Sequence, residues 1–140
     1  MLVSERGQWR KITVIRTYSD FAAWKADEAD NHFAVQVLKN LVTELQAMAP
    51  GPELDQAHGE PPSTGHPGWD RLIQGAALWT GASRLNDPAV LDWARRTPDD
   101  VSDIFDPLAP QRRFALSYLR TPVPLREKGV CLARGNLQGV

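Results

Sequence analysis

Apolar residues recur at three- and four-residue spacing along most of this chain, and prolines cut the pattern into segments. Val35, Leu38, Val42, Leu45 and Ala49 form one stripe, with Phe33, Val37, Leu41 and Met48 beside it. Lys39, Asn40, Thr43, Glu44 and Gln46 fall mainly on the other side, which is the pattern of an amphipathic helix. Pro50-Gly51-Pro52 ends it. Ahead of it, Ser19 opens the first long helix, with Asp20 in its first turn and Phe21, Trp24 and Glu28 on one side. The polar run at 26–32, ADEADNH, is either a solvated face or a break, with Asp30 or Asn31 capping the next helix.

The stretch the rest of the chain is expected to pack around is 67–96. Trp69, Leu72, Ile73, Ala76, Ala77 and Thr80 share one helix face, and Pro67 suits a first helical turn. Gly75 and Gly81 each cost a helix roughly 1 kcal/mol against alanine. With Ala76, Ala82 and Ser83, they predict either close approach of another element or a ligand against bare backbone. Asp87 and Pro88 cap and open a second helix, which carries Val90, Leu91 and Trp93 and ends at Arg95-Arg96. So short a connection predicts a central αα-hairpin.

Thr97-Pro98-Asp99-Asp100 starts a short helix with Val101, Ile104 and Phe105 on its apolar side. Pro110 starts another, with Phe114, Ala115, Tyr118 and Leu119 facing inward, and Thr121-Pro122-Val123-Pro124 favours extended chain. Gln8–Tyr18 and 129–133 are the two strand candidates, and pairing them would join the termini in a small two-stranded element. The expectation is a single mainly α domain spanning 1–140, with about five helices. Residues 50–67 read as a Pro/Gly-rich loop, and the tail from 135 as flexible.

Composition narrows the class. The 42% hydrophobic and 24% charged fractions are ordinary for a soluble globular chain. No apolar run is long enough to cross a bilayer, and MLVSERGQWRK lacks the apolar block of a signal peptide. Cys131 is the lone cysteine, so no internal disulfide can form, and a cytoplasmic location is expected. Charge is unevenly spread. Residues 111–140 hold six bases against one acid, and residues 17–110 hold six bases against fifteen acids. The basic ends therefore either fold back on an acidic body or meet an acidic partner.

Chemistry-bearing constellations are sparse. Asp99, Asp100, Asp103 and Asp106 form an acidic cluster that could serve general acid–base work in a small hydrolase or lyase, although capping already explains several of them. Glu28 and His32, four apart, are the only candidate metal pair. Helices 88–96 and 98–105 have the shortness of a helix-turn-helix, but the aspartates oppose groove entry, so nucleic acid would have to use the basic termini. No nucleophile elbow or phosphate loop is present, and no cofactor or membrane association is expected. The leading expectation is a non-enzymatic regulatory or accessory protein. It would bind a protein partner with an acidic surface, or a second copy, through Arg126, Lys128, Arg134, Trp79 and Trp93.

Overall fold

The computed structural model describes the backbone of residues 2–5 and 8–11, and residues 14–96, 103–110 and 114–138. The chain is mainly helical, as the periodicity predicts. Strands β1 (Leu2–Glu5) and β2 (Gln8–Lys11) are followed by helices α1 (Tyr18–Lys25), α2 (Asn31–Ala47), α3 (Pro52–Ala57), α4 (Pro67–Gly81), α5 (Asp92–Arg95), α6 (Phe114–Leu119) and α7 (Val123–Glu127). Short 3-10 turns lie at Pro88–Leu91 and Arg134–Asn136.

Helix α4 is the centre of the core. Trp69, Leu72, Ile73, Ala76, Ala77 and Thr80 are all buried, the face its spacing predicts. His66 caps it: its Nδ1 accepts from the amides of Gly68 (3.2 Å) and Trp69 (3.4 Å). Asp70, in the first turn, accepts from Ser63 Oγ at 2.6 Å and from Thr64 Oγ1 at 2.7 Å, which pins the incoming loop. The helical glycines are there for close approach. A Cβ on Gly75 would stand 2.8 Å from Leu125 Cα, so α7 crosses α4 at backbone distance. A Cβ on Gly81 would stand 3.0 Å from the His58 ring.

Helix α2 presents Val35, Leu38, Leu41, Val42 and Leu45 to this core, and Asp30 caps it by accepting from Phe33 N at 3.1 Å. The polar run is thus a break, and Lys25 closes it from inside. Its Nζ donates to Glu28 O at 2.6 Å and lies 5.0 Å from the Trp69 ring centre. Helix α1 begins two residues earlier than expected: Thr17 is the cap, accepting from Asp20 N at 3.0 Å, and Tyr18 is buried inside the first turn. Arg84 ties two helix ends together. It donates to Thr80 O at 2.8 Å, Leu45 O at 3.0 Å and Met48 O at 2.6 Å, satisfying carbonyls that α4 and α2 leave open.

Four expectations fail. First, the chain ends are not joined by a small β element. The backbone of Gln8–Lys11 pairs antiparallel with Leu2–Glu5, whereas Val130 forms an isolated parallel bridge with Phe105. Gly129, at a φ of 71°, turns the chain out of α7 so that this bridge can form. Phe105 therefore pairs its backbone instead of ending a helix; residues 97–102 of that predicted helix lie outside the described residues. Second, 50–67 is not a plain loop. Pro52 starts α3, and Leu54, Ala57 and His58 are buried. Third, Val123–Glu127 is helical where extended chain was expected; Pro124 falls in the first turn, where its missing N–H costs no bond. Fourth, α6 buries none of its side chains. In the tail, Leu137 is buried in the core.

Candidate functional site

Among the described residues, the predicted chemical sites do not come together. Asp99 and Asp100 lie outside the described residues, Asp103 is exposed, and Asp106 accepts from Leu108 N at 3.0 Å in a local turn. Glu28 sits in the α1–α2 break, where its Oε1 accepts from Asp30 N at 3.0 Å, and His32 points to solvent from α2. The break removes the shared helix face that made them a pair. Among the described residues no group of histidine, cysteine or carboxylate side chains is placed to hold a metal ion, and no helix is long and apolar enough to cross a membrane.

One titratable cluster is well formed, but it is sealed. The Tyr18 hydroxyl and His58 Nε2 each lie 2.8 Å from Thr80 Oγ1, and His58 Nδ1 lies 2.8 Å from Leu54 O. A carbonyl only accepts, so Nδ1 carries the proton. Neutral His58 then accepts at Nε2 from Thr80, and Tyr18 donates to Thr80 in turn. The weaker 3.1 Å contact from Thr80 Oγ1 to Ala76 O competes for the same proton. Burial pushes the His58 imidazole below the ordinary histidine value; the Leu54 hydrogen bond opposes this, Arg84 adds to it, and Asp55 opposes it. Burial likewise pushes the Tyr18 phenol far above its usual value, against the Thr80 bond. Nothing from solvent reaches these groups, so they specify core geometry and do not turn over a substrate. Cys131 is also enclosed, its thiol pushed up first by burial and then by Asp106, which makes it a poor nucleophile.

The predicted partner-binding residues separate. Lys128 is only 6% exposed, and its Nζ donates to Arg96 O at 2.7 Å. Burial pushes its amine below the ordinary lysine value, with Glu127 opposing. Trp93 is 7% exposed and donates from Nε1 to His58 O at 2.8 Å. Both are framework, not contact residues. Trp79 and Arg126 are half-buried, and Arg134 is exposed with its guanidinium 5.9 Å from the Trp79 ring centre.

Several large apolar side chains do meet solvent. Helix α6, FALSYL, turns Phe114 (40% exposed), Leu116 and Leu119 (69%) outward, and Val123 of α7 joins them. The Phe114 and Tyr118 rings stack at 6.3 Å with only 10° between their planes. Hydrogen bonds fix the C-terminal end of the helix. Thr121 Oγ1 donates to Ser117 O at 2.8 Å and accepts from Leu132 N at 2.9 Å, and Arg134 N donates to Arg120 O at 3.0 Å. Arg112 and Arg113 precede α6 in sequence, and exposed Arg120 follows it. The sequence carried this signal: an apolar hexapeptide bracketed by arginines. The spacing predicts an inward face, but spacing names a face without naming what covers it.

A second apolar surface lies between α1 and α2. Ile15, Trp24, Phe33, Val37 and Leu41 line a cleft of ≈ 240 Å³ with Asn40 and Glu44 on its rim. Phe33 is 48% exposed, and its ring meets Trp24 edge-on at 5.6 Å. No protein-family model, curated protein or solved structure matches this chain, so its functional reading rests on these surfaces.

Proposed function

We propose that this is a non-enzymatic accessory or regulatory protein that acts by binding another protein, and that α6 with Val123 is its contact face. The observation that carries the reading is an apolar helix, fixed at its end by Thr121, none of whose side chains is buried. Fully burying a Leu or Phe is worth roughly 1.5–3 kcal/mol, and a good part of that is forgone here at each of Phe114, Leu116 and Leu119. Large apolar side chains left exposed together on one short helix are what a binding surface offers before it is covered. The arginines that bracket it favour an acidic partner surface. Arg120 joins Arg134 as a polar contact in this reading, and Lys128 and Trp93 drop out because both are enclosed.

The test is a comparison of captured proteins. Wild type, Phe114→Ser and Leu119→Asp are immobilised and exposed to an extract of the native host at low and high salt. A partner retained by wild type, lost on both variants and weakened by salt supports the reading. Identical capture by all three chains, with unchanged circular dichroism, refutes it.

A further inference from the structure

The cleft between α1 and α2 is apolar along its length and acidic at both ends. Phe33, Val37, Leu41 and Glu44 are successive turns of one stripe of α2, so the cleft follows that helix for about 16 Å at 1.5 Å per residue. Its ≈ 240 Å³ is smaller than the roughly 300–1,000 Å³ of a small-molecule or cofactor pocket and suits a few side chains of another chain. Glu44, its one charged lining residue, marks one end. At the other end Trp24, edge-on to Phe33, is also a wall of a neighbouring depression lined by Asp20, Asp27 and Glu28. Asp20 and Glu28 accept backbone amides, those of Arg16 and Asp30, which leaves their charge in place. Among the described residues none of these four carboxylates is in an ion pair; the pairs formed are Arg95–Asp92 and Arg96–Glu60. Lys25, next to Trp24 in sequence, is turned inward onto Glu28 O and the Trp69 ring.

We propose that this cleft binds a short basic segment of a partner protein. An aromatic or aliphatic side chain of that segment seats against Trp24 and Phe33. Its lysines or arginines lie over Glu44 at one end and over Asp20, Asp27 and Glu28 at the other. Exposed apolar residues and solvated carboxylates are each ordinary alone. Their order here, acid then apolar furrow then acid, sets the complementary order in the occupant: base, apolar anchor, base. Extended chain advances about 3.3 Å per residue, so about five residues span the furrow. An acidic segment would meet like charge at both ends. The inference does not rest on the reading of α6, which shares no residue with the cleft and favours a partner of opposite charge. A chain with both surfaces would bridge a basic segment and an acidic surface.

The experiment is an NMR titration of the isotope-labelled full-length chain with a synthetic peptide, Lys-Lys-Leu-Phe-Leu-Lys-Lys, capped at both ends. The expected result is a saturable shift of the Trp24 indole and of the Phe33, Val37 and Glu44 amides, with an affinity that falls as salt rises. Glu44→Lys, at an exposed position, should weaken binding about two- to fivefold, and Phe33→Ser about tenfold. Amide signals remote from the cleft report that each variant is folded. Leu119→Asp should bind the peptide as wild type does. The same peptide with glutamate for every lysine, or with alanine for its three apolar residues, should leave the cleft signals in place. Absence of shifts at the cleft, equal binding of the glutamate peptide, or unchanged affinity in both cleft variants overturns the inference. So does a loss of binding in Leu119→Asp, which would move the site to α6. Cleft signals that ignore the peptide but shift with the concentration of the chain itself would assign the cleft to a second copy and overturn it as well.

Discussion

Replacing Thr80 by valine keeps the shape of the side chain and deletes one hydroxyl from the middle of the core. Two groups lose their partner at once. The Tyr18 hydroxyl, 2.8 Å away, becomes a buried donor with no acceptor, and His58 Nε2, also 2.8 Å away, becomes a buried lone pair with no donor. An orphaned buried polar group costs about 1–3 kcal/mol, so Thr80→Val should cost about 3 kcal/mol. That is a large share of the roughly 5–15 kcal/mol that holds a domain of this size. Tyr18→Phe is milder. Thr80 still donates to His58, one bond is lost, and the cost is about 1 kcal/mol. The double variant should then be less damaged than the sum of the singles by about 1.5 kcal/mol, because phenylalanine at 18 leaves no hydroxyl to orphan. Urea unfolding of the four proteins, with the slope checked for constancy, measures all three quantities. A Thr80→Val protein within 0.5 kcal/mol of wild type, or strictly additive singles, would refute the hydrogen-bond chain as drawn.

Three further outcomes follow from the same geometry. His58 is held below its unfolded value of about 6.5, so its stabilising contribution is complete above that pH and is lost as pH falls toward the folded pKa, with a slope of up to about 1.4 kcal/mol per pH unit. Urea midpoints from neutral pH down to pH 5 should fall more steeply for wild type than for His58→Gln, and parallel curves would contradict this. Gly75→Ala gains about 1 kcal/mol of helix propensity but drives a methyl to 2.8 Å from Leu125 Cα. Since backbone must move, the net change in chemical denaturation should be a loss of about 1–2 kcal/mol; a stabilised variant would mean that α7 yields freely. Arg84→Ala strips four carbonyls at the ends of α2 and α4, those of Leu45, Gln46, Met48 and Thr80, and should lower stability by about 2 kcal/mol, with Arg84→Lys recovering only part because one ammonium cannot span them; equal melting of the lysine variant and wild type would be the contrary finding.

Helices α2 and α4 were legible because long amphipathic stripes and caps agree. Asp30 caps where the polar run suggested, and Pro67 and Pro88 open turns where their missing amides cost nothing. The close approach at Gly75 was legible too, though not that α7 would make it. Residues 50–67 misled because proline and glycine frequency outweighed a short spacing, Leu54, Ala57 and His58, that buries one face of α3. His58, the lone fully buried histidine among the described residues, was invisible because its partner Thr80 lies twenty-two positions away on another helix. The candidate site was half legible. Basic charge near the C-terminus drew the reading toward the segment that holds α6, but Lys128 folds inward onto Arg96 O, and the apolar residues assigned to the core lie outside it. Periodicity fixes which residues share a face. Only tertiary contacts decide whether that face meets the core or a partner.

The central claim is that α6 is a contact face, and site-specific photocrosslinking tests it most directly. A benzophenone amino acid is placed in turn at Leu119, at Phe114, and at Gln36, an exposed polar position on α2 outside both apolar surfaces. The protein is then irradiated in native extract at low and high salt. The account predicts discrete adducts from 119 and 114 that fade as salt rises, and none from 36. Equal crosslinking at all three positions, or none at 119, would contradict it.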